Sequence, residues 1–361
     1  MTDIPSREGD ARKPLVISVD AMGGDRGPAA VVAGLAAAAA ANPDTTFILH
    51  GDEAVLRPLL DQKPGLSSSV ELRHAARVVT MDDKPSQIMR SGQGTSMWSC
   101  IDAVRDGEAA AAVSCGNTGA LMAVSMLRLR RLPGVTRPAI ACLWPSRNSS
   151  GFNVMLDVGA DIKAEAADLV HYAVMGAAYA RNGLGLDRPR AGLLNVGTEE
   201  HKGRAELKAA HELLIEAASK GDFDYVGFVE GGDIPGARAD VIVTDGFTGN
   251  IALKTGEGTA KFVGEAMKSA LMSSILSKIG ALLAMGSLNR LAARIDPRRV
   301  NGGVFLGLNG TVVKSHGSSD ATGVEAAIGL ACRLARAGFL AQLAHQVASS
   351  PAAGQDAPNR S

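Results

Sequence analysis

The sequence predicts an α/β protein, a three-layer sandwich with helices on both faces of a largely parallel sheet. Two observations carry that expectation. From residue 15 to about residue 319, short apolar, often β-branched runs alternate with glycine-bearing turns and helical stretches, the pattern of crossover units on a parallel sheet. Hydrophobic residues make up 46% of the 361-residue chain but aromatics only 4%, and much of the apolar content is alanine, which suits closely packed helices.

The first strand is expected at 15–19 and leads through Asp20 and Gly23-Gly24 to a helix opening near Pro28, a residue suited to a first helical turn. Further strands are expected at 46–49, 110–114, 139–143, 154–156, 192–196, 226–229 and 241–243. Helices over 164–182 and 206–220 separate several of them, and a single helix over 323–347 closes the unit. Folded structure is expected over 13–348, with disordered ends at 1–12 and 349–361, where Pro, Gly, Asn and Ser accumulate.

Residues 266–299 break the rhythm. Met267, Leu271, Ile275, Ile279 and Leu282 form a stripe at near-helical spacing, and Lys268, Lys278, Arg290, Arg294, Arg298 and Arg299 face one acid, Asp296. Gly286 is the expected break between two helices of a protruding basic hairpin. Such a stripe serves a core or dimer face, or else contact with a membrane or acidic partner.

Lys plus Arg and Asp plus Glu both number 37, so no global field draws the chain to nucleic acid. Cys100, Cys115, Cys142 and Cys332 have neither paired metal spacing nor the density of a disulfide framework, and a reducing cytoplasm is expected. No apolar stretch approaches the roughly 20 residues that span a bilayer. The stretch 249–255 lacks the second glycine of a P-loop before its lysine, and neither G-x-G-x-x-G after a strand nor H-E-x-x-H occurs.

Turns at strand ends are where open α/β sheets gather ligands. In T-D-G-F-T-G-N, Asp245 ends a strand, Thr248 is the expected helix cap, and Asn250 and Lys254 share one helix face at i and i+4. D-A-M-G-G-D sets Asp20, Gly23 and Gly24 before a helix, with glycines that let backbone approach a ligand. S-C-G-N-T-G places Asn117 and Thr118 at a helix start, as caps or as ligand contacts. N-V-G-T-E-E-H-K-G offers Asn195, Thr198 and Lys202, and K-S-H-G-S-S-D offers Lys314 and His316. Cys115 at a helix start is a weaker thiol-nucleophile candidate, since no histidine is near it in sequence.

Six segments in order, D-A-M-G-G-D (20–25), S-C-G-N-T-G-A (114–120), L-D-V-G-A (156–160), L-L-N-V-G-T-E-E-H-K-G (193–203), T-D-G-F-T-G-N (244–250) and K-S-H-G-S-S-D (314–320), resemble the bacterial phosphate acyltransferases of phospholipid synthesis. The resemblance implies an architecture similar to isocitrate dehydrogenases and phosphotransacetylases, a homodimer with peripheral membrane contact, and no cofactor or metal. It implies transfer of a fatty acyl group from acyl carrier protein to inorganic phosphate. The family's basic run after D-D-K-P-S is replaced here by M-R-S-G-Q-G at 89–94, and Cys115 stands where alanine is common.

Set on that reaction, Lys202 and Lys254 are expected to offset phosphate charge, and Asn250, or else Asn117, to donate to the oxyanion. His316 is expected to protonate the leaving thiol and Asp245 to orient a lysine or the amide. Asp20, Gly23, Gly24, Asn117, Thr118, Asn195, Thr198 and Lys314 are the expected substrate and phosphate contacts, and Leu271, Ile275, Lys278, Ile279 and Leu282 the membrane or partner contacts. The rival classes are a nicotinamide-dependent dehydrogenase of similar architecture and a non-catalytic scaffold between carrier protein and membrane.

Overall fold

The computed structural model describes residues 15–66, 68–295 and 302–349. The expected disordered ends, apart from Ser349, lie outside those residues, as do Asp296, Arg298 and Arg299 and the Arg294 side chain. In chain order the elements are β1 (Leu15–Asp20), α1 (Gly27–Ala41), β2 (Thr45–Gly51), α2 (Glu53–Asp61), β3 (Val70–His74), α3 (Pro85–Ser91), α4 (Ser96–Arg105), β4 (Ala111–Ser114) and α5 (Thr118–Leu129). There follow β5 (Ala139–Pro145), β6 (Phe152–Leu156), α6 (Ala166–Leu184), β7 (Arg190–Leu194), α7 (Ala205–Lys220), β8 (Asp224–Val229) and β9 (Val241–Val243). The chain continues as α8 (Gly246–Leu271), α9 (Ile275–Ile295), β10 (Gly303–Leu306), β11 (Thr311–Lys314), α10 (Ala321–Arg336) and α11 (Phe339–Ala348).

These strands form an 11-stranded sheet in the order β3-β2-β1-β4-β11-β10-β5-β6-β9-β7-β8. The four-strand block β3-β2-β1-β4 is parallel and extends to β11, and β6-β9-β7-β8 is parallel as well. Between the two blocks, β10 is antiparallel to β11 and to β5, and β5 is antiparallel to β6. Three reversals in succession make the second parallel block run opposite to the first. Ile17, Val19, Val113 and Val313 on one side of the sheet are buried in one apolar cluster, and Ala112, Val312 and Phe305 on the other side in a second, so helices cover both faces. The Ala-rich α1 comes close to α10 at Gly34, where an added Cβ would stand 2.6 Å from the Ala321 carbonyl oxygen and from Val324 Cβ.

Every strand expected from the sequence is present, that at 241–243 with the expected ends and the others with shifted ones. β7 stops at Leu194, two residues before the expected end, because Val196 already lies exposed in the turn. α6 starts at Ala166 because Glu165 and Asp168 form a reciprocal capping box, and it ends at Gly185 in the left-handed region. The expected single closing helix is two helices, since Gly338, at φ +63°, breaks it after Arg336. The expected break at Gly286 does not occur; α9 runs through it, and the hairpin turns instead at Met272–Ser274 with a bend of 120° between α8 and α9. Three strands had no counterpart in the sequence reading: β3, β10 and β11.

Candidate active site

β1, β4 and β11 are neighbours in register, so Asp20, Ser114 and Lys314 form the last row of three parallel strands. The turns that follow are locked together. An added Cβ at Gly23 would stand 2.6 Å from the Gly116 nitrogen and 2.9 Å from Asp20 Oδ2, and one at Gly24, whose φ is +98°, 2.9 Å from Cys115 Cβ and 3.1 Å from the Gly317 carbonyl oxygen. The glycines therefore serve close contact between the turns, a role beside the ligand approach expected of Gly23 and Gly24. Backbone hydrogen bonds from Asp25 N to Gly317 O (2.7 Å) and from Ser315 N to Ser114 O (2.9 Å) complete the lock.

Asp20 is sealed under these turns. Its carboxylate accepts from Ser114 Oγ (2.7 Å) and Met22 N (3.2 Å), and burial raises its pKa against those donors. Asp20, expected among the substrate and phosphate contacts, here braces the turn. Lys314 is buried too, its Nζ donating to the carbonyls of Cys115 (3.2 Å) and Ser315. Burial brings its pKa down to about 8. His316 Nδ1 lies 2.8 Å from Ser318 Oγ, and burial first, then the positive charge of Lys254, lowers its pKa. Lys254, mostly exposed and 3.2 Å from Glu257, thus stands in the field of both Lys314 and His316.

Asn117 caps α5, its Oδ1 accepting from Ala120 N (3.0 Å) while Nδ2 donates to the carbonyls of Met81 (2.8 Å) and Asp83 (3.0 Å). Both amide protons are committed, so Asn117 is removed as an oxyanion donor. Thr118 is the exposed first residue of that helix. Cys115 is buried and its thiol pKa is raised by burial, the opposite of what a nucleophile needs.

At the C-terminal ends of the second block, Asp245 rather than Thr248 caps α8, accepting from Thr248 N (2.8 Å) and Thr248 Oγ1 (3.0 Å). Its other partner is Arg204, so it orients neither a lysine nor Asn250, as the sequence reading expected. Burial works to raise the Asp245 pKa, but the Thr248 N–H and Arg204 outweigh it and hold the carboxyl below its ordinary value. With the cap at Asp245, Asn250 falls in the second turn. It is exposed, its Cγ 3.6 Å from where a Cβ on Gly159 would be, and its amide makes no hydrogen bond among the described residues. Asn195, the residue after β7, donates to the Lys202 carbonyl (3.2 Å). Lys202 Nζ is 2.7 Å from Glu199 Oε1, at the ends of β7 and β8, and Thr198 is exposed beside it.

The five turns expected to converge thus sort into two groups; α8 rests Asn250 against Gly159 after β6, and the charge of Lys254, one turn further on, reaches Lys314 and His316 after β11. Among the described residues no hydrogen bond or ion pair ties Lys202 or Thr198 to the Lys314 group. A cavity of about 120 Å³ between α6, α7 and α11, lined by Arg181, Phe223 and His345 among others, takes no residue from these turns. No group of three His, Cys, Asp or Glu side chains among the described residues is placed to hold a metal ion. Sequence reasoning gave no role to Asp157, Arg204 or Ser114. The L-D-V-G-A motif held the signal for the first, and Ser114 and Lys314 sharing a row could be seen only once β11 was known to pair with β4.

A family model described as fatty acid synthesis protein matches residues 15–342. The chain is 72% identical to the phosphate acyltransferase of Cereibacter sphaeroides over 344 residues, covering 95% of this chain and 94% of that one. It is 70% identical to the phosphate acyltransferase of Paracoccus denitrificans over 350 residues, covering 97% and 94%. Among solved structures, a phosphotransacetylase from Streptococcus pyogenes superposes with a TM-score of 0.58 at 20% identity, covering 90% of this chain and 94% of that one. The EutD phosphotransacetylase from Staphylococcus aureus gives 0.56 at 17% identity, covering 89% and 94%. Those two likenesses establish the α/β architecture with its mixed, mostly parallel sheet. With a family model spanning nearly all of the described residues and relatives near 70% identity over almost their whole length, the chain belongs to the fatty acid synthesis protein family, the family of the phosphate acyltransferases.

Proposed function

We propose that the chain transfers a fatty acyl group from the thioester of acyl carrier protein to inorganic phosphate, producing an acyl phosphate for phospholipid synthesis. The observation that carries the reading is the amide of Asn250, which makes no hydrogen bond among the described residues and stands one helical turn before a lysine whose charge reaches a buried lysine and a histidine. A phosphate oxygen, already anionic at neutral pH, attacks the thioester carbonyl carbon. The carbonyl oxygen takes the charge, and the C–S bond then breaks as the C=O reforms. Such a reaction asks for charge and placement more than for a base.

Lys254 and Lys314 offset the charge of phosphate, and the first N–H groups of α5 add to that field. Asn250 Nδ2 donates to the oxyanion. His316, neutral at pH 7 because its pKa is depressed, hands the departing sulfur a proton relayed from solvent or phosphate. Lys202 serves as a further anion contact once an incoming phosphate or carrier group draws it from Glu199, with Thr198 and Asn195 shaping that turn. The exposed apolar faces of α8 and α9 support assembly as a homodimer that touches the membrane peripherally from the cytoplasm.

Thiol release from acyl carrier protein thioester, followed with and without phosphate, tests the activity. Release that requires phosphate supports it, whereas binding without release returns the chain to a scaffold role. Lys202→Ala and Lys254→Ala separate the two cation assignments: the variant whose KM for phosphate stays at the wild-type value is removed from the site.

A further inference from the structure

We propose that Asp157 is a positioning residue for the transfer step, setting the place of Asn250 through the loop that follows β6; the inference rests on the role given to Asn250 above. Asp157 is fully buried and lies in the L-D-V-G-A segment, to which the mechanism assigns nothing. Its Oδ1 accepts from the backbone N–H groups of Ile140 (2.9 Å), Gly159 (3.2 Å) and Ala160 (3.0 Å), and its Oδ2 from Ala160 (3.0 Å) and Asp161 (2.7 Å). One carboxylate thereby dictates the path of the next four residues and ties it to β5.

The start of α8 lies directly on that loop. A Cβ on Gly246 would collide with the Asp161 carbonyl oxygen and Asp157 Oδ2, and a Cβ on Gly249 with the Asp157 carbonyl oxygen. The next residue, Asn250, rests its side chain over Gly159, which sits at φ +125° in a conformation the Asp157 bonds maintain. Contact passes without a gap from the carboxylate to the loop, from the loop to the two glycines, and from there to the amide that donates to the oxyanion. Displacement of a reacting group by about 1 Å can cost on the order of a hundredfold in rate.

The charged and titratable groups nearest Asp157 are Asp161, whose N–H it accepts from and whose side chain pairs with Arg137, and Tyr172 and Cys142, on which its charge acts; Asp245 with Arg204 caps the helix that rests on the loop. Burial lifts the Asp157 pKa to about 6 against the pull of its N–H donors. Below that pH one of its oxygens gains a proton and faces N–H groups it can no longer accept from, so the loop loosens under Asn250.

The test is kcat and KM for acyl carrier protein thioester and phosphate in Asp157→Asn, Asn250→Ala and the double variant. The expected result is a fall in kcat of about tenfold or more in each single variant, with KM for phosphate moving far less. The double variant is expected to be no slower than Asn250→Ala, because Asp157 acts through the amide already removed. Wild-type kcat is expected to drop as pH falls through about 6, and the residual rate of Asn250→Ala to lack that limb. A folded Asp157→Asn at wild-type kcat, or a double variant slowed by the product of the single effects, overturns the inference alone. Should Asp157→Asn fail to fold, an acid limb retained in Asn250→Ala overturns it. Asn250→Ala at wild-type kcat overturns the role of Asn250 first and this inference with it.

Discussion

Lys314 and His50 show how burial at single residues sets the pH behaviour expected of the protein. The Lys314 pKa of about 8 keeps the ammonium at pH 7, and its charge disappears as pH rises through that value. KM for phosphate is therefore expected to climb above about pH 8, and Lys314→Met to raise KM at pH 7 while flattening that alkaline rise. A wild-type KM unchanged between pH 7 and pH 9 would exclude Lys314 from phosphate binding. His50 is fully buried, its two ring nitrogens each 2.8 Å from a serine hydroxyl, Ser18 and Ser99. Burial, then Arg73, lowers its pKa to about 3, below the ordinary 6.5. The unfolded chain thus takes up a proton near pH 6.5 that the folded one refuses, so stability is full above that pH and lost as pH falls. Acidification from pH 7 to 5 is expected to cost about 2 kcal/mol from this group, measured by urea unfolding, and His50→Gln to flatten that slope by about one proton. At this scale the sequence marked residue types but not their commitments. Asn117 and Asn250 both stand near helix starts in polar turns, and only the structure shows that one amide is spent on Met81 and Asp83 while the other is uncommitted.

Helix α8 carries both proposed site residues and part of the exposed apolar stripe. Its first turns carry Asn250 and Lys254, and Gly256 lets it press on Trp144, where an added Cβ would meet the indole ring. Gly256→Ala is expected to lift the helix at that point, costing about 1–3 kcal/mol of stability and lowering turnover together, read by thermal unfolding and by thiol release. Beyond that contact α8 and α9 leave the body of the fold; Leu276 and Leu283 are more than four-fifths exposed, while Ala281 is buried. No single helix among the described residues is long and apolar enough to cross a membrane. Glutamate at both Ile275 and Leu283 is expected to abolish sedimentation with anionic vesicles while leaving the molecular mass in solution unchanged; loss of dimer mass would assign the stripe to a second subunit. Leu271 is a poorer choice for such a test because it is half-buried. The alternating strand, turn and helix pattern was legible because glycine turns and β-branched runs announce themselves. The hairpin of β10 and β11 was not read, although Asn309-Gly310 between two apolar runs is a recognised hairpin signal. The break at Gly338 was likewise hidden inside a stretch of otherwise strong helix formers.

For the whole molecule, the reversal of sheet direction decides where the turns go. Local sequence does not fix it, because two of the three antiparallel pairings are neighbouring strands but the third joins segments as distant as 139–141 and 304–306. One wall of convergent turns was therefore the natural expectation, and two groups bridged by α8 is what the topology produces. That arrangement makes Asn250 the residue on which the account turns, since it belongs to one group and sits one turn from the lysine whose charge reaches the other. The most direct measurement is the rate of acyl phosphate formation from acyl carrier protein thioester and phosphate by wild-type protein and by Asn250→Ala with unchanged thermal unfolding. The account predicts formation that depends on phosphate and a loss in the variant of about a hundredfold, the usual cost of removing one oxyanion donor. Acyl phosphate formed by Asn250→Ala at the wild-type rate, or thioester cleaved equally fast without phosphate, would contradict it.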